Sequence, residues 1–253
     1  MNIFTRLVVS TAFAFKCLNA AAETSAQKES FSSGNQKVSV IELYTSEGCS
    51  SCPTADSWLS GLKHRKGLFK TFIPMAFHVD YWNYLGWRDE FSDAQHSNRQ
   101  RTYNQIGRIG SVYTPGFVIN GEEWRGFFNR LQRNSPLLPP EAGAEETVGN
   151  LSLVGRGKQF RAHFAAAQRN DLVIHLAYLG TDLNNNIRRG ENAGRTLEHD
   201  FVVLAHTQMP LGADGDAVLP RAEIKHATAI AAWLSTRNDP APIQAVGGWL
   251  AVH

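Results

Sequence analysis

The stretch that decides the fold is residues 38–53, VSVIELYTSEGCSSCP. Its first part, up to Thr45, is apolar and β-branched, which predicts a buried strand. Its last part places Cys49 and Cys52 two residues apart, directly before a run that predicts an amphipathic helix. A thiol in the first turn of a helix faces unpaired backbone N–H groups and the positive end of the helix dipole, which favour its thiolate. The pattern therefore indicates reversible disulfide chemistry, with Cys49 attacking and Cys52 resolving.

The first residues predict an export signal over 1–22. A short basic start precedes the uncharged apolar run from Leu7 to Phe15, which is too short to span a bilayer, and three alanines supply a cleavage pattern. We therefore expect a periplasmic or secreted protein with no transmembrane segment in the mature chain. Removal of Cys17 with the signal leaves Cys49 and Cys52 as the remaining pair, and an oxidising compartment favours a disulfide between them.

Charge and cysteine spacing argue against two other classes of protein, nucleic-acid binders and zinc ribbons. The chain is 43% hydrophobic and 19% charged, as a globular protein is, and its formal net charge is +2. That charge is too small to indicate nucleic-acid binding, and no basic stripe interleaved with aromatic residues occurs. The usual zinc-ribbon arrangement needs a second pair of ligands at matching spacing, which the sequence lacks, so we expect no zinc site and assign no metal ligand.

The order of predicted elements divides the chain. Polar residues 23–37 predict a flexible arm. The next part, 38–133, predicts β-α-β-α-β-β-α order, with the first two strands parallel, a helix capped by Ser92-Asp93 and a hairpin turn at Asn120-Gly121. A linker rich in Pro, Ala and Gly follows over 134–148. Many short apolar runs over 149–253 then predict a small antiparallel β-sandwich.

The part over 38–133 resembles the thioredoxin fold. The resemblance is carried by the CxxC after a strand, the second parallel strand, and Thr114-Pro115 before a hairpin. The expected fold class is therefore an α/β thioredoxin-like domain followed by a small antiparallel β-sandwich domain. The resemblance implies that Pro115 is cis, that the backbone of Thr114 pairs with an extended substrate, and that Glu42 accepts the proton of Cys52.

A closer resemblance covers nearly the whole mature chain. The segments ELYTSEGCSSCP (42–53), HVDYWNYLGW (78–87), RQRTY (99–103), YTP (113–115) and RGENAGRTLEH (189–199) are similar to a bacterial family of secreted, thioredoxin-like proteins, domain-of-unknown-function family 1223. This resemblance implies the fold and an exported location. It implies no substrate.

Further side chains are expected around the disulfide. His78 ends the second strand, and sites gather at the carboxyl ends of parallel strands, so His78, Tyr81 and Trp82 are candidates to bind substrate. Two thiolates with His78 would also suit copper, which leaves a metallochaperone as an alternative. A polar loop further on, with Glu191, Asn192 and Arg195, is expected to brace a long loop or the domain interface through pairing among these side chains.

The sequence favours one function and leaves two others open. The favoured function is thiol–disulfide exchange with an exported protein substrate or redox partner, which needs no organic cofactor. The alternatives are the copper-binding protein and a non-catalytic interaction module with a structural disulfide. The oligomeric state is left open.

Overall fold

The computed structural model describes residues 29–128, 146–165 and 170–251. Two α-helices have both ends within these residues, α1 (Cys52–Ser60) and α2 (Ala94–Gln105), and 3₁₀ turns occur at Gly61–His64 and Asn83–Leu85. The strands are β1 (Glu29–Ser32), β2 (Ser39–Thr45), β3 (Phe72–His78), β4 (Gly116–Ile119), β5 (Glu122–Glu123), β6 (Leu151–Arg156), β7 (Gln159–Phe164), β8 (Leu172–Gly180), β9 (Leu183–Asn186), β10 (Thr196–His199), β11 (Val202–Pro210), β12 (Asp216–Pro220), β13 (Ala227–Thr236) and β14 (Gln244–Trp249).

Local sequence signals account for the elements around the disulfide. All seven residues of β2 are buried, as its apolar run predicts. The side chain of Asp93 caps α2 by accepting the N–H of Gln95 at 2.7 Å. Asn120 and Gly121 both adopt positive φ, at 52° and 89°, which is the geometry of a two-residue hairpin turn between β4 and β5. The helix cap and the hairpin turn are confirmed.

The main structural feature is a mixed sheet of eight strands in the order β14-β13-β8-β11-β3-β2-β4-β5. The β2–β3 and β3–β11 pairs are parallel, and the other neighbours are antiparallel. A second sheet has the order β1-β6-β7-β12, and β9 pairs with β10 as a separate ribbon. The large sheet thus places strands from the first and last parts of the chain side by side.

The expected fold class, an α/β thioredoxin-like domain followed by a small antiparallel β-sandwich, is wrong. The structure is mainly β, with 43% strand against 15% helix. Three strands expected in a separate sandwich, β8, β11 and β14, instead extend the sheet that contains β2 and β3, together with β13. Apolar runs predict that these strands exist, but their partners lie far away in the chain, and hydrophobic periodicity carries no information about pairing.

Alternation along the shared strands produces two cores. On β13, Ile230, Ala232 and Leu234 pack in a cluster with residues of the four-stranded sheet. Ala229, Ala231 and Trp233 point the other way, into a cluster with residues of β2, β3 and α1. A strand that is buried on both faces shows no polar alternation, so periodicity alone does not separate strand from helix over Ala227–Leu234.

The expected domain limits remain predictions. The signal at 1–22 and most of the linker at 134–148 lie outside the described residues. Part of the arm expected over 23–37 is the strand β1, which pairs with β6. The large sheet contains strands from both 38–133 and 149–253.

Candidate functional site

Cys49 and Cys52 form a disulfide at the junction of β2 and α1, with 5.4 Å between their Cα atoms. Cys49 ends the turn that follows β2, and Cys52 is the first residue of α1. The backbone N–H of Cys52 donates to the carbonyl of Cys49 at 3.2 Å, and Pro53 occupies the first helical turn, where a missing N–H costs little. Cys49 is 3% exposed and Cys52 0%, whereas Ser50 and Ser51 between them are exposed.

His78 lies beneath this turn at the end of β3. Its Nδ1 is 2.7 Å from Oδ2 of Asp89, and the same carboxylate oxygen accepts the backbone N–H of Glu47 at 2.9 Å. Burial by itself would lower the pKa of His78, but the adjacent Asp89 carboxylate outweighs it and raises that pKa to about 8. Although burial opposes it, the charge of His78 in turn lowers the pKa of Asp89. The pair connects the end of β3 to the CxxC turn.

The raised pKa of His78 predicts a loss of stability in mild base. A pKa near 8 in the folded state, against 6.5 when unfolded, contributes roughly 2 kcal/mol. This contribution is complete below pH ~6.5 and disappears as the pH rises through about 8. We expect urea unfolding of the wild type to show this decline between pH 6 and 9. The same series on His78→Asn should be flatter, and a parallel decline in both proteins would contradict the assignment.

Trp82 joins the CxxC turn to the loop before β4. Its Nε1 donates to Oγ1 of Thr114 at 2.7 Å, and a Cβ added at Gly48 would lie 3.0 Å from Cβ of Trp82. The Thr114–Pro115 peptide bond is cis, as the resemblance implied. Trp82 and Thr114 are therefore in direct contact, and Trp82 also reaches the backbone beside Cys49.

Tyr81 reaches the same loop through a relay. Its hydroxyl donates to Oε1 of Gln100 at 3.0 Å, and Nε2 of Gln100 donates to the carbonyl of Tyr113 at 2.7 Å. Tyr81 is half-buried, and burial raises its pKa well above the usual value for tyrosine, so it stays a neutral donor at all ordinary pH values. Gln100 therefore connects Tyr81 to Tyr113, the residue directly before Thr114.

Glu42 contacts α2 rather than the CxxC turn. Its carboxylate receives two hydrogen bonds from Arg99 on α2, at 2.8 Å each, and one from the hydroxyl of Tyr103 at 2.8 Å. Alternate residues of a strand face opposite sides of a sheet, so Glu42 points toward α2 while Thr45 points toward α1. These contacts give no support to the expected transfer of a proton from Cys52 to Glu42.

The loop between β9 and β10, residues 187–195, lies against the CxxC turn. Nδ2 of Asn192 donates to the carbonyls of Glu47 and Cys49, at 2.9 and 3.0 Å. Oε2 of Glu191 accepts the N–H of Ser50 at 3.0 Å, and Nη1 of Arg195 donates to Oδ1 of Asn192 at 2.8 Å. We call residues 187–195 the covering loop. It contacts the CxxC turn directly, in addition to the pairing between its own side chains.

Sequence reasoning missed a buried hub at Glu47. The carboxylate of Glu47 accepts from Nε1 of Trp87 and Nδ2 of Asn185, at 2.7 and 2.9 Å, and pairs with Nε2 of His199 at 3.1 Å. These partners come from two regions far apart in the chain, since Trp87 precedes α2 and the other two lie on the β9–β10 ribbon. From the sequence alone, Glu47 is only a negative charge near the thiolate of Cys49. The one available signal is that Glu47, like Trp87 and His199, lies in a segment that is similar to family 1223.

Asp56 is a second residue that sequence reasoning missed. It lies on α1 one turn after Cys52 and is buried. Burial raises its pKa, and the charges of His199 and His78 oppose that rise. A carboxyl group on the buried face of a helix gives no periodic signal, because the pattern is set by its apolar neighbours.

Residues 29–128, 146–165 and 170–251 contain neither a membrane-spanning helix nor a cluster of metal ligands. No helix there is long and apolar enough to cross a membrane. No group of three or more His, Cys, Asp or Glu side chains there is arranged to hold a metal ion. The copper-binding alternative, which relied on the two thiols and His78, therefore has no supporting ligand set in this part of the chain.

Comparison with known proteins gives the family. The chain matches the family described as Protein of unknown function (DUF1223) over residues 40–235. It belongs to this family. A search of curated proteins finds no match. The match over residues 40–235 includes both the CxxC turn and the covering loop, so the two segments that meet at the disulfide are parts of one family unit.

Two solved structures are similar to this DUF1223 protein. The crystal structure of protein AGR_C_4864 from Agrobacterium tumefaciens is 25% identical, with a TM-score of 0.59 and coverage of 86% of this chain and 99% of that one. HBP35 of Porphyromonas gingivalis is 16% identical, with a TM-score of 0.53 and coverage of 85% and 76%. The second likeness concerns the fold alone.

Proposed function

We propose that this DUF1223 protein is a thiol–disulfide oxidoreductase that acts on exported polypeptides through Cys49 and Cys52. The observation that carries the proposal is the position of the disulfide, which joins the last residue of a turn to the first residue of α1. A bond that closes so short a ring constrains the unfolded chain less than one that closes a long loop, so a purely structural role gains little from it. A thiol at a helix start is instead suited to exchange.

The exchange proceeds through a mixed disulfide. A substrate thiolate attacks Sγ of Cys49, the Cys49–Cys52 bond breaks, and Cys52 leaves as a thiolate. A second substrate thiolate then attacks the substrate sulfur of the mixed disulfide and releases Cys49. Two electrons pass from the substrate dithiol to the protein, and two protons follow to the cysteines. The reverse sequence reduces a substrate disulfide.

The loop before β4 supplies a place for the substrate backbone. Thr114 is half-buried, and neither its N–H nor its carbonyl makes a backbone–backbone hydrogen bond within the described part of the chain. Free backbone groups of this kind accept an extended peptide as an added strand. Trp82, which contacts both Thr114 and the turn at Gly48, would hold this edge beside the disulfide.

The exported substrate class follows from the expected signal at 1–22. An oxidising compartment both supplies proteins that need disulfides and keeps the Cys49–Cys52 pair oxidised at rest. We include periplasmic or secreted location in the proposal on this ground, and fractionation of cells that produce the full chain tests it separately.

The reduction potential of the pair tests the proposal. The full chain is equilibrated in glutathione buffers and quenched, and the oxidised fraction of the Cys49–Cys52 peptide is measured by mass spectrometry. We expect a potential above about −300 mV together with exchange on a disulfide-containing peptide. A pair that remains oxidised well below that potential would be a structural disulfide, and the proposal would then be wrong.

A further inference from the structure

The covering loop donates hydrogen bonds to two backbone carbonyls of the CxxC turn, one of them that of Cys49. Asn192 is fully buried and donates to the carbonyls of Glu47 and Cys49. Arg195 fixes the orientation of the Asn192 amide by donating to its oxygen at 2.8 Å. A buried amide with all these partners is firmly held, because each lost partner would leave a polar group unsatisfied. Asn192 therefore anchors the covering loop to the CxxC turn.

Glu191, the residue before Asn192, places a negative charge close to the start of α1. Oε2 of Glu191 lies 3.0 Å from the backbone nitrogen of Ser50, which is one peptide bond from Cys49. Hydrogen bonds from the hydroxyl and the N–H of Ser50 lower the pKa of Glu191, so the carboxylate is charged at neutral pH. Within the described residues Glu191 has no cation within ion-pair distance. Its charge is thus not neutralised by a neighbour.

Other charged groups near the turn are already paired. Glu47 pairs with His199, and Asp89 pairs with His78. Asp56 faces both histidines from α1, and Arg195 is directed to Asn192. Of the carboxylates that face Cys49 from the surrounding elements, Glu191 is the one that combines solvent exposure, an unpaired charge and a bond to the CxxC turn.

We propose that Glu191 is a positioning residue that competes with the thiolate of reduced Cys49 for the electropositive start of α1, and that Asn192 holds it in place. This inference rests on the proposed function. Reduction by a substrate dithiol breaks the Sγ–Sγ bond: two electrons enter from that dithiol, which becomes a disulfide, Cys52 takes up a proton, and Cys49 becomes the anion beside Ser50. Two anions at one helix start repel each other, so Glu191 favours the disulfide over the dithiol. The second half of the chain thereby sets the reactivity of a pair in the first half.

Glu191→Gln tests the charge alone, because glutamine retains an oxygen that accepts the N–H of Ser50. We expect reduced Glu191→Gln to be alkylated at Cys49 by iodoacetamide at pH 6 about threefold faster than the wild type. We also expect its equilibrium with glutathione to shift about threefold toward the dithiol. Tandem mass spectrometry identifies the alkylated residue, which separates Cys49 from Cys52 and Cys17.

Glu198→Gln is the matched control. Glu198 lies on β10, the strand that follows the covering loop, and is exposed, so this variant loses the same charge without a bond to the CxxC turn. It should leave both the alkylation rate and the equilibrium unchanged. If Glu191→Gln and Glu198→Gln behave alike, or if Glu191→Gln slows alkylation, the inference is overturned.

Asn192→Ala tests the anchor. Loss of its two carbonyl bonds should move the glutathione equilibrium in the same direction as Glu191→Gln, in addition to any loss of stability. A fall in stability with no change in the equilibrium would show a merely structural role for Asn192. Both readouts are independent of any protein substrate. A wild type that exchanges with no polypeptide would therefore refute the proposed function and leave the effect of Glu191 measurable.

Discussion

Cys49→Ser should abolish disulfide exchange, and Cys52→Ser should accumulate mixed disulfides with substrate proteins. Without Cys49 no attacking thiolate is available. Without Cys52 the mixed disulfide at Cys49 lacks the thiol that would resolve it. We expect residual exchange of the Cys49→Ser variant at the level of the reaction without protein. The measurement is exchange on a disulfide peptide, followed by non-reducing electrophoresis of Cys52→Ser produced in an exporting cell.

The double variant Cys49→Ser/Cys52→Ser provides the control for trapping. Any adduct that persists in it arises from Cys17 or from non-covalent association, and not from the CxxC. If Cys52→Ser captures no more protein than the double variant, while the wild type still exchanges with peptides, then polypeptides are not the physiological substrates. If the wild type does not exchange either, the disulfide is structural.

Arg99→Met should produce the largest loss of stability. Arg99 donates two hydrogen bonds to Glu42, and both side chains are buried, with 7% and 0% exposed. Removal of one member of a buried ion pair leaves the other charge uncompensated, which costs about 3–5 kcal/mol. We expect the free energy of unfolding in urea to fall by about this amount at pH 7.

Two further variants isolate the cause. Arg99→Met combined with Glu42→Gln removes both charges, so it should recover most of the lost stability. Arg101→Met, on the exposed face of the same helix, should change stability by less than about 0.5 kcal/mol. If the double variant is as unstable as Arg99→Met, then the loss comes from the packing of Arg99 against Phe77, Tyr103 and Trp233, and not from the stranded charge of Glu42.

Local chemistry predicted the elements around the disulfide, because it depends on residues that are neighbours in sequence. The strand before the CxxC, the cap at Asp93 and the turn at Asn120-Gly121 are all of this kind. The bond between Glu42 and Arg99 joins residues 57 positions apart, and nothing in either segment specifies the other. Resemblance therefore assigns Glu42 to Cys52, whereas the structure pairs it with Arg99 of α2.

The sequence does not predict the fold class because strand pairing, like the Glu42–Arg99 bond, joins residues far apart in the chain. Strand β11 lies beside β3, where Val202 pairs with Ala76. An apolar run such as 202–204 predicts a strand, but it does not indicate whether that strand belongs to a separate sandwich or extends the sheet that contains β2 and β3. The candidate site was partly predictable, since the covering loop was singled out for its polar residues. Its target, the CxxC turn, required the three-dimensional arrangement.

The anchor between the covering loop and the CxxC turn has a consequence for the nascent chain. Asn192 follows Cys49 by 143 residues, so at about 5–20 residues per second a ribosome needs roughly 7–30 s to reach it. Through that interval both thiols exist on a chain that has neither Glu191 nor the amide that holds it. Any oxidation of Cys49 within that interval therefore acts on a pair that the covering loop does not yet contact.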